Sequence, residues 1–119
     1  MIKLLSMDAN NVIGILIKGH VNIKDFELVR NFIAEVEIHY EFLRIYVEIA
    51  DIKGIYLEDV FKYLEFTLSH FHRFEKQAIV IDKNLITQLE QIRCLLTTSV
   101  KIEYFTFEDK CKARYWVLS

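Results

Sequence analysis

The sequence predicts an α/β fold: a central, mostly parallel, mixed five-stranded sheet with about four helices, in the order β-β-α-β-α-β-α-β-α. Three observations carry this. Short apolar runs (VIGILI, IYVEI, AIVI) alternate with longer segments whose apolar residues recur every three or four positions. The first two runs are separated only by a turn cluster, which favours an antiparallel pair, whereas later runs are separated by helix-length segments, as parallel crossovers require. The chain also lacks proline, low-complexity tracts and linkers, so residues 1–119 form one predicted domain.

Ile2 to Leu5 is the first strand candidate, and Asp8-Ala-Asn-Asn11 the turn after it. Val12 to Lys18 is the second strand, its unbroken apolar run implying cover on both faces. Gly19 and Asn22 then open a helix. Asn22 is placed to cap free amides, Asp25 adds negative charge at the positive helix end, and Phe26, Val29, Ile33, Val36 and Tyr40 repeat at helical spacing.

Leu43 to Ile49 is the third strand, and Ala50 to Gly54 reads as a loop. From about Tyr56 the period is helical again, with Leu57, Val60, Phe61, Leu64, Leu68 and Phe71 on one stripe and Glu58 and Asp59 in the first turn. This helix is expected to end around His72 or Phe74. Gln77 to Ile81 is the fourth strand, and Asp82 is placed to cap a helix carrying Leu85, Leu89 and Ile92. Val100 to Phe105 alternates like an edge or half-exposed strand. Thr106-x-x-Asp109 resembles a capping box for a last helix that packs Ala113, Trp116 and Val117.

Composition narrows the function. At 119 residues, roughly two-thirds of the unfolded chain's surface can be buried. Hydrophobic residues are 53% and charged residues 27%, which argues against disorder. The formal net charge is −2 with no basic block, so a nucleic-acid partner is not expected. The apolar run Val12 to Ile17 is too short to span a bilayer and no secretory signal pattern is present, so no transmembrane segment and a cytoplasmic protein are predicted. Cys94 and Cys111 are expected to be reduced, Cys94 in the apolar context QIRCLL and Cys111 among Lys110, Lys112 and Arg114.

His70 and His72 invite a metal reading. Two positions on a helix are about 200° apart, so the two imidazoles diverge and no metal site is expected. No other cofactor is expected. Asp59, Tyr63, Phe66 and His70 form a second stripe beside the apolar one, polar tips on aromatic bodies, which suits a pocket wall as well as it suits a partly exposed packing face. No Gly-x-Ser-x-Gly elbow, phosphate-binding glycine loop or catalytic pair is present. Glu48 and Asp51 near a strand end are the carboxylates placed for acid–base work, but no catalytic residue is assigned and the protein is read as non-enzymatic.

The chain resembles the SpoIIAA-like family of small bacterial proteins, related to STAS and CRAL-TRIO lipid-binding domains. The residues that carry the resemblance are Gly19, Asn22, Asp25 and Phe26, then Asp51-Ile-Lys-Gly54, then the run Glu65-Phe66-Thr67-Leu68-Ser69-His70. Phe74, Lys76, Ala78 to Val80 and Asp82 follow, and Ala113-Arg-Tyr-Trp116 ends the match. Phe61 and Tyr63 stand where the family often has tryptophan and aspartate, Thr67 where it has glycine, and Leu85 where it has tryptophan.

The resemblance implies a STAS-like sheet of about five strands with about four helices, and either an apolar ligand or a regulatory protein partner. The phosphorylatable Ser or Thr of related anti-sigma antagonists is missing, because no serine or threonine occurs between Ser6 and Thr67; Tyr56 is the one hydroxyl near that position. The expected function is therefore binding of a small apolar or amphipathic ligand at the second helix and its preceding loop, with Asp51, Tyr63, Phe66 and His70 as site residues. The alternative is a protein-interaction or homodimerisation module.

Overall fold

A computed structural model describes residues 1–53, 56–69, 74–93 and 101–119, with the side chains of residues 69, 92 and 93 also outside the description. His70, His72, Cys94, Gly54 and the Ile92 side chain therefore lie outside the described residues. The elements are β1 (Ile2–Leu5), β2 (Val12–His20), α1 (Ile23–Glu37), β3 (Leu43–Lys53), α2 (Leu57–Ser69), β4 (Phe74–Val80), α3 (Lys83–Arg93), β5 (Lys101–Phe105) and α4 (Lys110–Leu118), the last preceded by a single 3-10 turn, Phe107–Asp109.

The strands form one sheet in the order β1-β2-β3-β4-β5. β1 pairs antiparallel with β2, and every later pair is parallel. Right-handed crossovers between strands that advance steadily in one direction put every crossover helix on the same face. The packing follows that rule. One apolar cluster joins Ile13, Ile15, Ile17, Ile45, Val47, Ile49, Ile79 and Ile102 of the sheet to Phe26, Val29 and Ile33 of α1, Val60, Phe61 and Leu64 of α2, and Leu89 of α3. Leu64 is fully buried there, and its truncation to alanine costs about 2–5 kcal/mol.

The opposite face carries the alternate residues. Val12, Tyr46, Ala78 and Val80 pack with Ala113 and Val117 of α4 in a smaller cluster. Met7, from the β1–β2 connection, joins them. Gly14 makes room for it: a Cβ there would meet Met7 Sδ at 2.8 Å and the Leu5 carbonyl oxygen at 3.0 Å.

Local chemistry sets several boundaries. Asn22 Oδ1 accepts from the Asp25 amide at 3.1 Å, and the Asn22 amide donates to Asp25 Oδ2 at 2.9 Å, a reciprocal capping box that starts α1. Asp82 Oδ1 accepts from the Asn84 amide at 2.9 Å and opens α3. Thr106 makes no side-chain cap bond, so the capping box expected there is not formed and the chain enters α4 through the 3-10 turn.

Two strand limits also differ from the sequence reading. β3 runs on to Lys53, through residues expected to be loop, because its pairing with β2 continues past a bulge. β4 begins at Phe74, which pairs with Leu43, so the helix does not reach Phe74; α2 is described to Ser69, and Phe71 and the alternative limit at His72 lie outside the described residues.

Candidate functional site

α2 is the centre of the predicted site. Its buried side is made by Val60, Phe61, Leu64, Thr67 and Leu68. Residues 59, 63 and 66 share one edge by helical spacing, and Tyr63 marks it as the edge towards α1. The Tyr63 ring packs against Phe26 of α1 at 5.8 Å between centroids, tilted by 39°. Phe66, one turn on, is 65% exposed, and Tyr56, just ahead of the helix, is 81% exposed. The Tyr56 carbonyl accepts from the Asp59 and Val60 amides at 3.0 and 3.1 Å, which makes Tyr56 the residue from which α2 springs. In the first turn Glu58 pairs with Lys62 at 2.9 Å.

The predicted residues are brought together only in part. Tyr63 and Phe66 share one edge of α2. Asp51 sits near the C-terminal end of β3, exposed and with φ of 48°. Phe66 lies about 14 Å along the helix axis from the first residue of α2, so Asp51 and Phe66 mark opposite ends of the surface. His70 lies outside the described residues.

The backbone supplies a reason for Asp51 that sequence reading missed. Lys18 pairs with Ala50 and His20 with Lys53, so Gly19 faces two residues of β3. Gly19 (φ 67°) and Asp51 (φ 48°) both take the left-handed conformation at this bulge, and aspartate tolerates it better than most residues.

A second constellation lies on the α4 face. Tyr46 is fully buried and its hydroxyl donates to Glu48 Oε2 at 3.0 Å. Burial, and then the Glu48 carboxylate, push the Tyr46 hydroxyl up to about 12. Arg114 lies over the Tyr46 ring at 4.8 Å and donates to the Ser6 carbonyl at 3.2 Å.

At the end of α4, Arg44 donates to the Val117 carbonyl at 2.9 Å and to Glu75 Oε2 at 3.0 Å. Lys76 donates to the Trp116 carbonyl at 3.2 Å and stands 5.0 Å from the Trp116 ring centre. Two sheet cations thus satisfy the carbonyls that a helix C-terminus leaves free, and they oppose its negative pole. The signal was present in the sequence as Arg44-x-Tyr46-x-Glu48, a polar row at period two inside an apolar strand. The arrangement fastens α4 and leaves Glu48 engaged with a tyrosine rather than with a second carboxylate.

Among the described residues, no group of three or more His, Cys, Asp or Glu is positioned to hold a metal ion. No described helix is long and apolar enough to cross a membrane.

Comparison with known proteins agrees with this architecture. No curated protein matches the sequence. The structure is similar to that of an uncharacterised protein with a SpoIIAA-like fold from Shewanella loihica, with a TM-score of 0.70, 18% sequence identity, and coverage of 98% of this chain and 92% of that one. That likeness concerns the fold. The family model described as SpoIIAA-like matches residues 12–118, from the start of β2 to the end of α4, and the chain belongs to the SpoIIAA-like family.

Proposed function

We propose that this SpoIIAA-like domain is a non-enzymatic binding module that takes a small apolar or amphipathic ligand along α2. The observation that carries the reading is the two-sided character of that helix. Val60, Phe61 and Leu64 are sealed in the core, while Phe66, on the same helix, keeps most of its ring in water. Covering such a ring contributes about 1.5–3 kcal/mol to any ligand that does so. The Tyr63 hydroxyl and Asp59 carboxylate on the same edge supply the few polar groups that orient a bound molecule. Engagement of Glu48 by Tyr46, and the conformational role of Asp51, support binding rather than turnover.

The proposed setting is the cytoplasm, in keeping with Cys111 as a free, exposed thiol. Native mass spectrometry of the purified protein tests the reading. The expected result is a copurified small molecule that is lost in Phe66→Ser. A wild-type protein that never carries or accepts an apolar ligand contradicts it.

The same exposed rings support a second reading, a partner-binding or homodimeric module. Size-exclusion chromatography with light scattering separates the two. A dimer abolished by Phe66→Ser favours the second reading, and a strict monomer at high concentration counts against a homodimer.

A further inference from the structure

Among the described residues, two polar side chains are buried, Thr67 and Gln77. Thr67 is satisfied locally, its hydroxyl donating to the Tyr63 carbonyl at 2.8 Å. Gln77 is not. Its Nε2 donates to Glu65 Oε1 at 2.8 Å, but its Oε1 is buried without a hydrogen-bond partner. The amide orientation follows from the carboxylate, since the reverse would set two acceptors against each other.

Gln77 lies on β4 between Ile45 of β3 and Ile102 of β5, both members of the helix-facing core, and it is 0% exposed. A buried carbonyl oxygen with open lone pairs destabilises a core unless something donates to it. A position needed only for packing is better filled by leucine or methionine. Glu65 is half-buried, so the outer side of the pair reaches solvent beside α2.

We infer that the Gln77–Glu65 pair is a polar subsite for a donor head group, a hydroxyl or an ammonium, on an amphipathic molecule whose apolar part lies among the aliphatic side chains around it. The inference rests on the proposed function, that the domain takes an amphipathic ligand at α2, and adds a head-group site on the β4 side of that helix, across from Tyr63. Gln77 Oε1 accepts from the head group and the Glu65 carboxylate favours a donor beside it. A carboxylate head meets two acceptors and is rejected. Apolar walls with one or two placed polar groups are the usual make-up of a small-molecule site.

The test uses three probes of equal chain length, 1-decanol, decylamine and decanoate, titrated into the full chain at neutral pH. Calorimetry gives the affinity, and the Gln77 side-chain amide signals in nitrogen–proton NMR spectra give the location. The expected result is that decanol and decylamine bind and move the Gln77 signals, while decanoate binds about tenfold more weakly, the worth of roughly one hydrogen bond. Gln77→Met, checked for folding by circular dichroism, is expected to erase the preference. Glu65→Gln, at a half-buried position, is expected to raise decanoate affinity.

Equal binding of all three probes, or Gln77 signals that do not move, overturns the subsite and leaves the apolar-ligand reading standing. Binding of none of them overturns both. A persistent Overhauser contact between the Gln77 amide and an internal water, unchanged by every probe, also overturns the subsite.

Discussion

Arg114 of α4 lies over the ring of Tyr46 of β3, 4.8 Å from guanidinium carbon to ring centre, on the sheet face opposite the three crossover helices. The contact joins the last helix to a central strand, and Tyr46 hands its hydroxyl proton to a hydrogen bond with Glu48.

This arrangement makes stability depend on alkaline pH. Burial, followed by the Glu48 charge, raises the Tyr46 hydroxyl from 10.0 to about 12. A folded pKa above the unfolded one means the neutral hydroxyl is favoured in the native state. Its contribution is fully present below about pH 10 and is lost as pH rises towards about 12, on the order of 2–3 kcal/mol in total. Urea denaturation at about pH 8 and about pH 11 is expected to show this loss in the wild type and a smaller one in Tyr46→Phe.

Arg44 is expected to matter more than the ion pair it makes. Its half-buried guanidinium serves the Val117 carbonyl as well as Glu75. Arg44→Met leaves a helix-end carbonyl unserved and is expected to cost about 1–3 kcal/mol. Glu75→Gln, at a side chain 39% exposed, is expected to cost no more than about 0.5 kcal/mol. Equilibrium unfolding of both variants checks the difference.

Asp51 tests whether a predicted site residue is there for its backbone. At φ 48°, Asp51→Gly is expected to leave stability within about 0.5 kcal/mol, and Asp51→Val to lower it by about 1–2 kcal/mol. Equal losses in thermal melts of the two variants would point instead to the carboxylate.

Gly14→Ala places a methyl group against Met7 Sδ and the Leu5 carbonyl. The thioether can swing away, but the backbone oxygen cannot, so a loss of about 1–3 kcal/mol is expected. Shortening Met7 to alanine in the same chain is expected to recover part of that loss in a double-mutant cycle.

The sheet and its helices are legible in the residues because β2 to β4 each carry a compact apolar run, β5 alternates as an edge strand does, and α1 to α3 each carry a 3.6-residue period. The boundaries that differ do so for tertiary reasons. Asp51 and Lys53 look like loop residues, yet β3 continues through them because it takes up one extra residue as a bulge and then pairs with β2 again at His20. The apolar stripe of α2 extends smoothly towards Phe74, and only the pairing of Phe74 with Leu43 assigns that residue to a strand.

The candidate site was legible to the same degree. Tyr63 and Phe66 share an edge because helical spacing requires it. That Tyr63 spends its ring on Phe26 depends on α1, which lies far away in sequence. The Gln77–Glu65 pair was hidden for a similar reason: a glutamine at the start of an apolar run carries no local mark of burial, and its partner is supplied by another element.

The most direct measurement is the set of backbone amide shifts produced by titrating 1-decanol into the nitrogen-labelled protein. The account predicts saturable shifts concentrated on α2, residues 57–69, on the neighbouring edge of α1 and on β4 around Gln77, with α4 unmoved and the response reduced by Phe66→Ser. Shifts centred on α4, or scattered shifts that never saturate, would contradict it.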